Sequence, residues 1–143
     1  MKTITLWQPW AQLIACGIKT IETRTHERFK NLQGQTILIH AGQKWDDDFF
    51  KLAGDFITEN QVQDIWKLEY LFKHKSPLVY SCLLAAAFVE TTGWLISAHS
   101  TKALIDCEEG RFGLFLKDIK KIKPISVKGH QGIWNYEGEI IYL

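Results

Sequence analysis

The chain has 143 residues, 46% of them hydrophobic and 23% charged, which fits one domain with a workable core. Its formal net charge is +1, which excludes a global electrostatic pull toward nucleic acid. Any such binding must come from a local patch.

Ile4 and Leu6 alternate with threonines and predict a first strand running into Trp7. Pro9 suits the first turn of a helix, where its missing N–H costs nothing. Trp10, Leu13 and Ile14 then form an apolar stripe, and Gly17 supplies the left-handed stop. The β-branched Thr20, Ile21 and Thr23 favour an extended segment. In that strand Glu22 and Arg24 share a face. Lys19 lies an odd number of residues from Glu22, so it joins them only from the preceding turn.

Thr25 to Gln35 reads as a polar loop, and Thr36 to Ala41 as a strand ending at His40 and Gly42. Residues 46–73 read as helical and insert-like, with Asp46 and Asn60 as candidate caps. Leu78 to Thr92 is extended, and Leu83 to Val89 is apolar on both faces, as in a central strand. Thr101 to Ile105 allows a helical turn, and Arg111 to Leu116 alternates as a strand. Lys117, Lys120, Lys121, Lys123 and Lys128 form the basic stretch. Ile133 to Tyr136 and Ile140 to Tyr142 flank Glu137-Gly138-Glu139 and predict a closing hairpin. Together these elements predict one α+β domain over residues 1–143, built on a small β-barrel flanked by helices.

The chemistry concentrates at Gly17-Ile18-Lys19-Thr20-Ile21-Glu22-Thr23-Arg24. Two cations and one carboxylate suit an anionic or strongly polar ligand, with Glu22 orienting Arg24 or accepting from a base edge. Trp7 and Trp10 offer stacking faces, and Gln8 offers an amide that both donates and accepts. His40, Lys44 and Trp45 cluster at the end of the next strand and complete the candidate binding set. The polar, glycine-flanked Lys128-Gly129-His130-Gln131-Gly132 brings backbone N–H groups near a ligand or makes a plain turn. Glu90, Glu108 and Glu109 are the other acids with a path to the cleft. Asp46-Asp47-Asp48 lacks an oxygen-ligand pattern and the five histidines lack zinc spacing, so no metal and no cofactor are expected. Cys16, Cys82 and Cys107 have no paired spacing and read as buried, reduced thiols. No secretory leader opens the sequence, and the run from Leu83 to Val89 is too short to span a bilayer. The expectation is a cytoplasmic protein without a membrane partner.

The stretch from Leu6-Trp7-Gln8-Pro9-Trp10-Ala11 through the Gly-x-Lys-x-x-Glu-x-Arg string resembles the ASCH domain, a family of the PUA-like superfamily. The likeness continues at Ile37 to Ala41, Gly110 to Phe115 and Lys128 to Trp134. It implies a PUA-like β-barrel with a cleft beside the first helix. Family members are linked to RNA binding, to ribonuclease action and to removal of the N4-acetyl group from cytidine. The deacetylating members carry a threonine where this chain has Glu22, and a lysine where it has Lys19.

Two function classes follow. In one, the domain binds RNA or a modified nucleotide through the charged cleft. In the other it is a hydrolase, with Lys19 as base and Glu22 and Arg24 completing a catalytic set. A protein-interaction role for the aromatic 46–73 segment is a third reading. Sequence leaves the oligomeric state open.

Overall fold

The computed structural model describes residues 1–143. β1 (Lys2–Gln8) leads through the cis Gln8–Pro9 bond into α1 (Trp10–Ala15). Gly17, at φ +76°, turns the chain out of the helix toward β2 (Ile21–Arg24). β3 (Thr36–Trp45) is followed by α2 (Phe49–Ala53) and α3 (Glu59–Lys73). β4 (Cys82–Trp94), α4 (Ser100–Ala103), β5 (Phe112–Ser126) and β6 (Ile133–Asn135) complete the chain. Within residues 46–73 the chain forms α2, a 3-10 turn at Gly54–Phe56 and α3. The last of these is capped by Thr58 rather than Asn60, because Gln61 three residues on completes a capping box with it.

One six-stranded sheet carries the fold, in the order β2-β5-β4-β3-β1-β6. β1 and β3 run parallel, with Thr3 opposite Leu38, because α1 and β2 form the crossover between them. All other pairs are antiparallel. The sheet is open, so the expected small barrel is not closed. A single bridge from Tyr142 to Ile122 brings the C-terminal segment against β5. The expected closing hairpin does not form. Residues 133–135 instead pair with the free edge of β1, and residues 141–143 hydrogen-bond to Lys121 and Lys123.

β4 sits at the centre and buries both faces. Ala85, Ala87 and Val89 join Ile4, Ile14, Ile37, Ile39 and Leu114 in the main core, while Leu83 and Ala86 meet Leu38 and Ile122 on the other side. Each such aliphatic side chain contributes roughly 1.5–3 kcal/mol when withdrawn from water. α2 and α3 lie over α1 through Leu13, Phe49, Ala53, Ile65 and Leu104. This packing fixes α1, and hence the turn that follows it. The outer side of α3 leaves Trp66, Tyr70 and Leu71 exposed. Cys82 and Cys107 are buried, but Cys16 is exposed, because it lies beyond the last helical residue. No helix is long and apolar enough to cross a membrane.

Candidate functional site

Lys19 sits in the turn between α1 and β2, and both its backbone and its side chain are tied inward. Its amide donates to Leu13 O, and its ammonium donates to Ala103 O at the end of α4. The residue is 1% exposed. Nζ lies 4.0 Å from Glu22 Oε1 and 4.9 Å from the centre of the Trp10 ring. Trp10 is held edge-on to Phe49 and donates its indole N–H to Asp46 Oδ2 at 2.7 Å. The ammonium is thus enclosed by a ring, a carboxylate and a helix-end carbonyl.

Burial pushes the Lys19 pKa from 10.5 down to about 8. Glu22 is the largest opposing influence, Cys107 adds to it, and Arg111 and Arg24 reinforce the fall. Arg24 follows on the same strand face as Glu22, as the two-residue period requires. Its Nη2 lies 3.3 Å from Glu22 Oε2, an ion contact without hydrogen-bond geometry. Its guanidinium stacks on Phe29, 4.6 Å from the ring centre. Nε and Nη2 are buried and have no protein acceptor. Leaving a buried donor unmade costs about 1–3 kcal/mol.

These groups line a pocket of about 280 Å³, with Trp7, Trp10, Asp46 and Arg111 among its walls. The volume falls just below the range of roughly 300–1,000 Å³ usual for drug-sized ligands. A single flat ring system is of suitable size. Both charge signs are present, so the pocket can pair with donors and acceptors on one ligand.

A second cavity, of about 930 Å³, adjoins the first through Thr5, Trp7 and Arg24. A partly buried chain of hydrogen bonds runs along its wall. Trp134 Nε1–H donates to Thr5 Oγ1 at 3.0 Å, and Thr5 Oγ1 lies 3.2 Å from His40 Nδ1. His40 Nε2 is 2.7 Å from Val127 O. A carbonyl only accepts, so Nε2 carries the proton and Nδ1 accepts from the Thr5 hydroxyl. Burial lowers the His40 pKa, His130 adds to the fall, and the Val127 bond opposes it.

A pH dependence of stability follows. The unfolded chain takes up the His40 proton below about 6.5, before the folded chain does. The contribution is full above that pH and is lost as pH falls through the folded pKa. Urea midpoints of wild type and His40→Gln, compared at about pH 7.5 and about pH 5, should show the smaller acid-side drop in the variant. Parallel drops would remove His40 as the cause.

The structure brings Trp7, Trp10, Lys19, Glu22 and Arg24 to the smaller pocket and His40 to the wall of the larger cavity. Three other expected ligand contacts lie elsewhere. Gln8 is fully buried and committed at both ends of its amide, donating to Val79 O and accepting from Gln12 N. Trp45 packs on Phe72, with ring centres 5.6 Å apart, and faces neither cavity. Lys44 lies over the Trp7 ring at 5.1 Å and lines neither cavity.

Glu90 is exposed beside Lys117, and Glu108 and Glu109 line neither cavity. The second acid of the pocket is Asp46, which sequence reasoning assigned to a helix cap. Its partner Trp10 is thirty-six residues away, and no local spacing reveals that pairing. Arg111 was also missed as a site residue, because β5 brings it alongside β2 only through long-range pairing.

A family model for the ASCH domain matches residues 4–110. Among solved structures, the chain is similar to an ASCH protein from Zymomonas mobilis, with a TM-score of 0.53 and 17% identity over 88% of this chain and 73% of that one. A serine-to-alanine variant of the Zymomonas mobilis protein matches with a TM-score of 0.51 and 18% identity, over 87% and 72% of the two chains. A tyrosine-to-phenylalanine variant matches with 0.51 and 16%, over 88% and 75%. At such identities the likeness concerns the fold. Residues 4–110 span β1 through α4 and include the Lys19, Glu22 and Arg24 turn-and-strand, and the chain belongs to the ASCH domain family.

Proposed function

We propose that residues 1–143 act as one PUA-like unit that recognises a nucleobase, in RNA or as a modified nucleotide, in the pocket around Lys19, Glu22 and Arg24. The observation that carries this reading is the Arg24 guanidinium. It lines both cavities while two of its buried nitrogens lack a protein acceptor. A ligand with acceptor oxygens or ring nitrogens would pair with the part of the guanidinium that stays open, the side chain being 22% exposed. Glu22 and Asp46 supply acceptors for an exocyclic amine, and Trp7 offers a half-open ring on which a base can stack. Such stacking is worth roughly 1–3 kcal/mol per base.

The lowered pKa of Lys19 favours hydrolysis as a second reading. An amine near pKa 8 is neutral in a useful minority of molecules at neutral pH. In that reading Lys19 removes a proton from water, Glu22 steadies the resulting ammonium, and Arg24 offsets negative charge on the substrate. A threonine stands at the position of Glu22 in deacetylating relatives, so the substrate here differs or the carboxylate takes another role.

Incubating the protein with N4-acetylcytidine and with single-stranded RNA, beside Lys19→Met, separates the two readings. Saturable binding that the substitution removes, with no product formed, is the expected result. Turnover abolished by the substitution would replace pure recognition with catalysis. No binding of either compound by wild type would reject the assignment.

A further inference from the structure

The two cavities differ in charge. The smaller one mixes Lys19, Arg24 and Arg111 with Glu22 and Asp46. The larger one is lined by Arg24, Arg28 and Lys128, together with His26, His40 and His130, and by no carboxylate. The whole chain carries only +1, so three fixed positive charges facing one concavity are a local concentration. Field lines from one sign of charge focus in such a groove.

Two loops build this groove, each anchored to the fold beside it. In the first, the Arg28 amide donates to His26 Nδ1 at 3.1 Å, and Phe29 is buried beneath Arg24. In the second, Val127 O accepts from His40 Nε2 and from Ser81 Oγ, and Gly129 then passes directly over His40 and Thr5. A Cβ at Gly129 would stand 2.5 Å from His40 Cε1 and 2.7 Å from Thr5 Oγ1. The backbone can approach only because that side chain is absent. The amides of residues 128–132 donate to no protein acceptor, so all five are uncommitted. Cations and free amides held on fixed loops are the equipment of an anion site.

We infer that the larger cavity is a phosphate subsite of the ligand whose base occupies the smaller pocket. Arg28, Lys128 and the 128–132 backbone hold the phosphate, and Arg24 bridges phosphate and base. This rests on the reading of the smaller pocket as a base site. It goes beyond that reading, because it requires a phosphorylated ligand, a nucleotide or a strand, in place of a free nucleoside. The four lysines at 117, 120, 121 and 123 lie on β5 and line neither cavity, so they have no part in the subsite.

Tryptophan fluorescence titrations of the full chain test this with three probes: the free nucleosides, their 5′-monophosphates, and a single-stranded RNA of about six nucleotides. Arg28→Ala/Lys128→Ala is compared with Lys117→Ala/Lys121→Ala, and all of these side chains are exposed, so folding is checked readily by thermal melting. The monophosphates or the RNA should bind at least tenfold more tightly than the nucleosides. The first double variant should lose that advantage and about two contacts from the salt dependence, while the second should bind like wild type. A preference confined to RNA would make the ligand a strand, and one shared by monophosphates would make it a nucleotide; either supports the subsite. Equal binding of nucleosides and phosphorylated probes would overturn the subsite and leave the base pocket standing. RNA binding untouched by Arg28→Ala/Lys128→Ala would do the same. RNA binding that is lost in this variant but retained in Lys19→Met would support the phosphate groove and overturn the base pocket. Failure of all three probes to bind would reject both.

Discussion

Lys19→Met is expected to make the protein more stable and to remove its ligand binding by 100-fold or more. An ammonium held at 1% exposure has lost its water. Glu22 at 4.0 Å and the Ala103 carbonyl replace that water incompletely, which is why the pKa falls from 10.5 to about 8. Each tenfold change in a protonation equilibrium is about 1.4 kcal/mol, so the charged lysine costs the folded state about 3 kcal/mol at neutral pH.

The sign follows from linkage. Below about pH 8 both states carry the proton, and the folded state bears the full penalty. Between about 8 and 10.5 the folded state releases its proton first and the penalty fades as pH rises. Methionine has similar length and no charge. Its loss of the bond to Ala103 gives back about 1 kcal/mol, leaving a net gain of about 1–2 kcal/mol at pH 7. Urea denaturation of both proteins at pH 7 and at pH 10 measures this. The gap should shrink at the higher pH. A variant less stable than wild type at pH 7 would show that the ammonium stabilises the fold.

Glu22→Gln should act in the opposite direction and more strongly. The carboxylate is the one anion between two cations, 4.0 Å from Lys19 Nζ and 3.3 Å from Arg24 Nη2. Removing the partner of a buried charge typically costs about 3–5 kcal/mol. The Lys19 pKa should also drop further below about 8, since Glu22 is the main influence holding it up. Two measurements apply, the thermal midpoint and the pH dependence of Lys19 modification by an amine reagent. Combining the substitution with Lys19→Met should recover part of the lost stability, because the double variant leaves only Arg24 to be solvated. Additive effects would mean that the two residues do not interact.

Much of this arrangement was legible in the sequence because it is local. Gly17 ends the helix, Lys19 sits in the turn, and the period of the strand aligns Glu22 with Arg24. The apolar run from Leu83 to Val89 marked the central strand, and the structure covers it on both faces. What escaped was non-local. Asp46 and Arg111 reach the pocket through the packing of α1 and the pairing of β5 with β2. Gln8 has the chemistry to read a base, but Val79 and Gln12 occupy its amide. The final hairpin was misread because Ile133-Trp134-Asn135 fits a strand whatever its partner, and the exposed edge of β1 lay at the far end of the sequence. Thr58 outcompeted Asn60 as a cap because the reciprocal bond to Gln61 requires that spacing.

The pairing of Lys2 to Ile4 with Ile133 to Asn135 carries a consequence for biogenesis. During synthesis β1 can find β3 after a few dozen residues, yet its outer edge stays bare until residues 133–135 have emerged. For that interval a nascent molecule presents a row of unsatisfied amides and carbonyls, the usual nucleus of intermolecular strand exchange. Any pause in translation between β1 and β6 would lengthen that exposure, so the codons separating the two strands bear on the yield of native protein.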